Sequence, residues 1–243
     1  MAALGPSRDG FGKAPAASPP TEPGTGIVMI MEPGIVQLLA GIGFFAFMFD
    51  LMYVLIIKRR NKTNGHGNNA PLVIMHSVMA RVGIVVLDAM ICLCCVMVFT
   101  FRYLFFPSIP RIWTGVGTVV VQVVGFTLVC GGDIVLFLAY KALGVYWGYP
   151  LDGKTGKHKL VKHGPYKHVR HLVYDAFGII CIGFVLIFVD WLLLLMCMIS
   201  CIGLYVQALD EEKALAGYFG EEYITYMKKT GRFFSRLRPG IAM

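Results

Sequence analysis

The apolar stretch at about 174–208 is too long for one comfortable membrane span, and it carries Asp190 at its middle. Roughly 20 apolar residues suffice to cross a bilayer. A single tilted helix over this stretch would leave the Asp190 carboxylate in hydrocarbon, at a cost of several kcal/mol. A helical hairpin turning near Val189 and Asp190 avoids that cost and returns both ends of the stretch to one side of the membrane. Three more apolar stretches precede it, at about 34–57, 72–106 and 112–143. The expected fold is all-α: a polytopic transmembrane helical protein of about five spans, including a C-terminal helical hairpin.

Charge supports that reading and gives it a direction. Only 15% of the residues are charged, where a soluble domain has about 25%. The net charge of +8 is gathered in three places: Lys58, Arg59, Arg60 and Lys62; the segment 141–170; and the tail 213–238. Each cluster flanks an apolar run, as basic residues of cytoplasmic loops do. The N-terminus is therefore expected outside and the C-terminal tail in the cytosol. A nucleic-acid partner would want a folded basic face with base-reading elements, and the sequence offers none. Residues 1–33 are read as a disordered tail, because the first 26 are rich in Pro, Gly, Ala and Ser. Residues 34–143 form the N-terminal transmembrane helices, and 144–243 the cofactor-binding loop, hairpin and cytosolic segment.

Polar residues inside the spans are expected to pair. Asp50, Arg81, Asp88 and Asp133 lie in or near them, and Arg81 with Asp88 is the simplest pair. All seven cysteines fall in apolar runs and read as packed thiols, with no disulfide framework and no metal site. Leu215, Phe219, Tyr223 and Met227 share one helical face between Glu211 and Lys229, the pattern of an interfacial helix that Gly220 can interrupt.

Two polar knots of opposite sign bound the last apolar stretch. Upstream lies HKLVKHGPYKHVRHLVY, residues 158–174; downstream lie Asp210, Glu211 and Glu212. The hairpin brings the two together on one side of the membrane, which invites a polar cofactor between them.

The order HGPYKHVRHLVY, hydrophobic hairpin, DEEKAL and YFGEEYITYMKK, preceded by KALGVYW, resembles the isoprenylcysteine carboxyl methyltransferase family. The wider phospholipid-methyltransferase-like group shares the pattern. The resemblance covers about 141–239 and implies binding of S-adenosyl-L-methionine without a nucleotide-binding sheet domain. By position, it assigns cofactor contacts to His158, Lys159, Leu160, Val161, Tyr166, the 171–174 segment with His171 and Tyr174, and Glu211. The residue types suit that role. Gly164 lets backbone approach a ligand closely, Tyr166 and Tyr174 can pack on adenine or face a sulfonium cation, and Glu211 offers a carboxylate to an amine or to ribose hydroxyls.

Gln207, Arg170 and His171 are the candidate catalytic residues. Methyl transfer to oxygen or nitrogen needs alignment and removal of water more than a strong base, and an amine acceptor would add a need for deprotonation by His171 or His163. Two positions depart from the family's pattern. Leu172 stands where the family has proline after Arg-His. Gln207 stands where it has an arginine implicated in orienting substrate, and glutamine cannot neutralise a carboxylate. The implied acceptor is a prenylated protein ending in cysteine, or a lipidic small molecule reached from the surrounding membrane lipids. The implied location is the endoplasmic reticulum membrane with the site facing the cytosol, and the oligomeric state stays open. Arg170-His171-Leu172 with Tyr174 and the D-E-E-K segment also resembles NADPH-dependent sterol reductases. A membrane protein that keeps the fold without catalysis is the third alternative.

Overall fold

The computed structural model describes residues 33–63, 77–100, 117–146 and 159–235. Six α-helices fill them: α1 (Pro33–Thr63), α2 (Val78–Thr100), α3 (Thr118–Leu143), α4 (Leu172–Phe188), α5 (Trp191–Phe219) and α6 (Glu221–Lys229). Short 3-10 turns occupy Gly144–Tyr146 and Gly164–Lys167. Helices α2, α3 and α5 are long and apolar enough to cross a membrane, and Gln37–Tyr53 and Leu172–Phe188 are shorter apolar helices. The protein is thus a polytopic helical membrane protein, as expected, with three helices of spanning length and two shorter apolar ones. The residues around Pro107 and Pro110, together with His66, His76 and His158, lie outside the described residues.

The hairpin turns where the charge pattern requires. Helix α4 ends at Phe188, Val189 takes the left-handed conformation at φ 51° and ψ 52°, and Asp190 caps α5. Its carboxylate accepts from the backbone N–H of Leu192 at 2.8 Å and of Leu193 at 3.3 Å. This buried carboxylate therefore serves donors that a helix start leaves unpaired. The Gln122 amide of α3 donates to the Ile187 carbonyl at 3.0 Å, so the neighbouring helix serves the last turn of α4.

Glycines set how closely the helices cross. A Cβ at Gly203 of α5 would stand 2.3 Å from the Gly83 Cα of α2, and a Cβ at Gly125 of α3 would stand 2.7 Å from the Gly183 carbonyl oxygen of α4. Both crossings bring backbone against backbone, the contact by which small residues join helices in lipid. The core lies between α3 and α4, at Val129, Leu136, Ala139, Ala176 and Ile187, and Phe47 of α1 meets Phe177 edge-on at 6.1 Å.

Two expectations fail. Arg81 and Asp88 are both exposed on α2, and no ion pair joins them. Seven residues are nearly two whole turns, beyond the three- and four-residue spacings that meet on a helix. The single interfacial face between Glu211 and Lys229 is not formed either. The chain breaks at Gly220 (φ 56°, ψ −132°), and α6 turns Tyr223 and Tyr226 inward.

Candidate cofactor site

Helix α5 has 29 residues and so runs for about 44 Å, well past a hydrocarbon core of about 30 Å. Its C-terminal turns therefore reach beyond the membrane and carry the acidic knot. Successive helical residues point about 100° apart, so Asp210, Glu211 and Glu212 face three different partners.

Asp210 faces α2. Its carboxylate accepts from the Ser77 backbone N–H at 2.9 Å, while the Ser77 hydroxyl accepts from Met79 N–H at 3.2 Å. The start of α2 is thereby pinned beside the end of α5.

Glu212 faces inward, with its side chain 5% exposed. Its Oε1 accepts from Arg170 Nε at 2.9 Å, from Arg170 Nη2 at 2.8 Å and from Arg232 Nε at 3.1 Å. Its Oε2 accepts from Arg232 Nη2 at 2.7 Å. Arg170 Nη1 donates to the Met227 carbonyl at 3.1 Å and to Thr230. Every nitrogen of the Arg170 guanidinium thus meets an acceptor within the protein.

Glu211 faces the mouth of the site, with its side chain 38% exposed. The Tyr174 hydroxyl donates to Oε2 at 2.8 Å, and His171 Nδ1 lies 3.5 Å from the same oxygen. The other imidazole nitrogen lies 3.3 Å from Glu212 Oε1. One ring therefore bridges two adjacent carboxylates. His171 also stacks on Tyr174 at 5.3 Å and 7°. Burial disfavours the charged imidazole, but Glu211 and Glu212 outweigh it and hold the His171 pKa above its ordinary value.

The loop and the C-terminal segment hold this arrangement together. Gly164 opens the 3-10 turn at φ 58°, a left-handed conformation that glycine adopts without strain. Tyr166 is buried, and its carbonyl accepts from the Tyr226 hydroxyl of α6. Val161 is buried, Leu160 half-buried and Lys159 exposed. Beyond α6 the chain turns back along the loop. Gly231 N–H donates to the His168 carbonyl at 3.0 Å, Arg170 N–H to the Gly231 carbonyl at 3.0 Å, and His171 N–H to the Arg232 carbonyl at 3.1 Å.

Among the sequence candidates, His171, Tyr174, Gln207 and Glu211 come together. Gln207, one turn before Glu211, is fully buried and hydrogen-bonded with Tyr174. Tyr166 lies behind them in the wall, Gly164 shapes the loop, and Arg170 is drawn into the Glu212 cluster. Sequence reading missed Arg232, Thr230 and Tyr226. Their partners are Glu212, Arg170 and the Tyr166 backbone, so no local spacing announces them.

Fold and site together define a helical membrane protein with a polar, carboxylate-bearing site at one end of its bundle. Residues 123–217 match the model of the isoprenylcysteine carboxyl methyltransferase (ICMT) family, and the resemblance carried by the motifs is borne out over that segment. It spans most of α3, all of α4 and nearly all of α5. No curated protein matches the chain.

Proposed function

We propose that this protein is a membrane methyltransferase. It moves a methyl group from S-adenosyl-L-methionine to the carboxylate of a C-terminal prenylcysteine or a similar lipophilic acceptor. The observation that carries the reading is Glu211. Tyr174 and His171 hold one of its oxygens, and the side chain is partly open to solvent. A carboxylate so oriented suits a cationic amine or a pair of ribose hydroxyls, which S-adenosyl-L-methionine carries. When bound, that cofactor supplies a sulfonium methyl to the acceptor oxygen, and the carbon–sulfur electron pair returns to sulfur.

The protein's own residues bind and orient. Glu211 holds the polar end of the cofactor, and the loop 159–166 lines it. Tyr174 fixes the Glu211 rotamer, and Gln207 and His171 fix Tyr174. Arg170 acts as a positioning residue through Glu212. A carboxylate acceptor is already ionised near neutral pH, so no general base is required. The acceptor reaches the site sideways from the membrane lipids, on the cytosolic face of the endoplasmic reticulum membrane.

Calorimetric titration of the detergent-purified protein with S-adenosylhomocysteine tests this reading, with NADPH in parallel. Micromolar binding of the former is expected. Glu211→Ala should weaken it by about 10- to 100-fold, the worth of one lost charge-assisted hydrogen bond. Binding of NADPH alone would overturn the methyltransferase reading in favour of a reductase.

A further inference from the structure

Arg170 and Arg232 share Glu212 unequally. Arg170 is 6% exposed in its side chain, and its nitrogens meet Glu212 and the Met227 and Thr230 carbonyls. Arg232 spends only Nε and Nη2 on Glu212, and its side chain is 29% exposed. The guanidinium also hydrogen-bonds with the Tyr205 side chain and lies 5.6 Å from the centre of that exposed ring.

Arg170 and Arg232 both direct their charge at Glu212, while Glu211 is turned toward Tyr174 and His171. Of the two guanidiniums, Arg232 is the more exposed. Arg232 also stands where the site meets the outer face of α5. Met198, Ile202 and Tyr205 are all exposed and spaced along one side of that helix. Phe233 lies 6.0 Å from Tyr205 and 6.0 Å from His171, and so joins that face to the bridging imidazole.

We propose that Arg232 receives the carboxylate of the methyl acceptor. Tyr205 and Phe233 flank the headgroup, and the acceptor's apolar tail lies along Ile202 and Met198. This rests on the methyltransferase reading of the same site and deepens it by fixing the acceptor's charge. Gln207 cannot neutralise a carboxylate, and Arg170 is already enclosed; Arg232 brings the missing cation from a different part of the chain. An amine acceptor would meet like charge at the Arg232 guanidinium, and an uncharged one would form no ion pair with it.

The test compares binding of N-acetyl-S-farnesylcysteine with that of its carboxamide. The full chain is used in phosphatidylcholine nanodiscs, with S-adenosylhomocysteine present. Wild type should favour the acid by at least about tenfold, the worth of a charge-assisted contact. Arg232→Gln should erase the preference while S-adenosylhomocysteine affinity stays within about twofold, a separation that general loss of the fold cannot produce. Arg232→Lys, which keeps charge but loses the planar fork, should retain part of the preference and covers the case in which Arg232→Gln does not fold. Equal binding of acid and amide by wild type, or a preference that survives in Arg232→Gln, would overturn the proposal. If wild type binds no S-adenosylhomocysteine, the methyltransferase reading falls, while the acid-to-amide ratio measured without it still decides the role of Arg232.

Discussion

Replacing Glu212 by glutamine removes the one carboxylate that two arginines share. Four donor nitrogens converge on it, at 2.9, 2.8, 3.1 and 2.7 Å. The amide keeps one acceptor oxygen but turns an NH2 group toward nitrogens that are themselves donors. Removing one partner of a buried ion pair costs about 3–5 kcal/mol. Arg232 can swing into water and the remaining oxygen can still serve Arg170, so the lower end applies, about 3 kcal/mol. In a chain of this size each kcal/mol moves Tm by about 2–4 °C, so a fall of about 6–12 °C is expected. Thermal unfolding of the detergent-purified protein, followed by tryptophan fluorescence, measures it. Glu222→Gln provides the control, because its ion pair with Lys162 has side chains 53% and 45% exposed and is worth about 0–1 kcal/mol. A Glu212→Gln melting point within about 2 °C of wild type would refute the reasoning, since a buried shared carboxylate cannot be that dispensable.

Three further outcomes follow from the geometry. Gly203→Ala puts a Cβ 2.3 Å from Gly83 Cα and should cost about 1–3 kcal/mol of overpacking; a melting curve superimposable on wild type would mean α2 and α5 do not cross there. At Val189, held at φ 51°, Val189→Gly should be more stable than Val189→Ala by about 1 kcal/mol, because both remove the two buried methyl groups and only glycine, lacking Cβ, relieves the left-handed strain; the opposite order of melting points would contradict the turn. The folded pKa of His171 is raised, so its bound proton stabilises the fold fully below about pH 6.5 and stops doing so as pH climbs through the folded value. The ligand-free melting temperature should fall across that rise, and a pH scan of His171→Gln should lack the step.

Much of the fold was legible because a bilayer allows few solutions. A long apolar stretch interrupted by a carboxylate must turn at it, and Asp190 does cap the second arm of the hairpin. The meeting of His171, Tyr174 and Glu211 followed from the same turn, since a hairpin returns both of its ends to one surface. The Arg232–Glu212 bond was not legible. It spans 20 residues and depends on a chain reversal after Lys229, which leaves no period in the sequence. The surroundings of Arg170, read from the sequence as a candidate catalytic residue, were not legible for a related reason: only the folded tail supplies the carbonyl oxygens that enclose it.

The acidic knot shows why three adjacent carboxylates need not share one role. A helix turns about 100° per residue, so one short segment can address three surfaces at once. Asp210 joins the end of α5 to the start of α2, Glu212 joins it to the loop and the C-terminal segment, and Glu211 is left facing the mouth. The two outer members hold the axial position and rotation of α5, and with them the direction of Glu211. A small rotation of α5 would swing Glu211 away from Tyr174 while straining both anchors. In this arrangement the residues that orient the Glu211 carboxylate are its immediate neighbours in the chain.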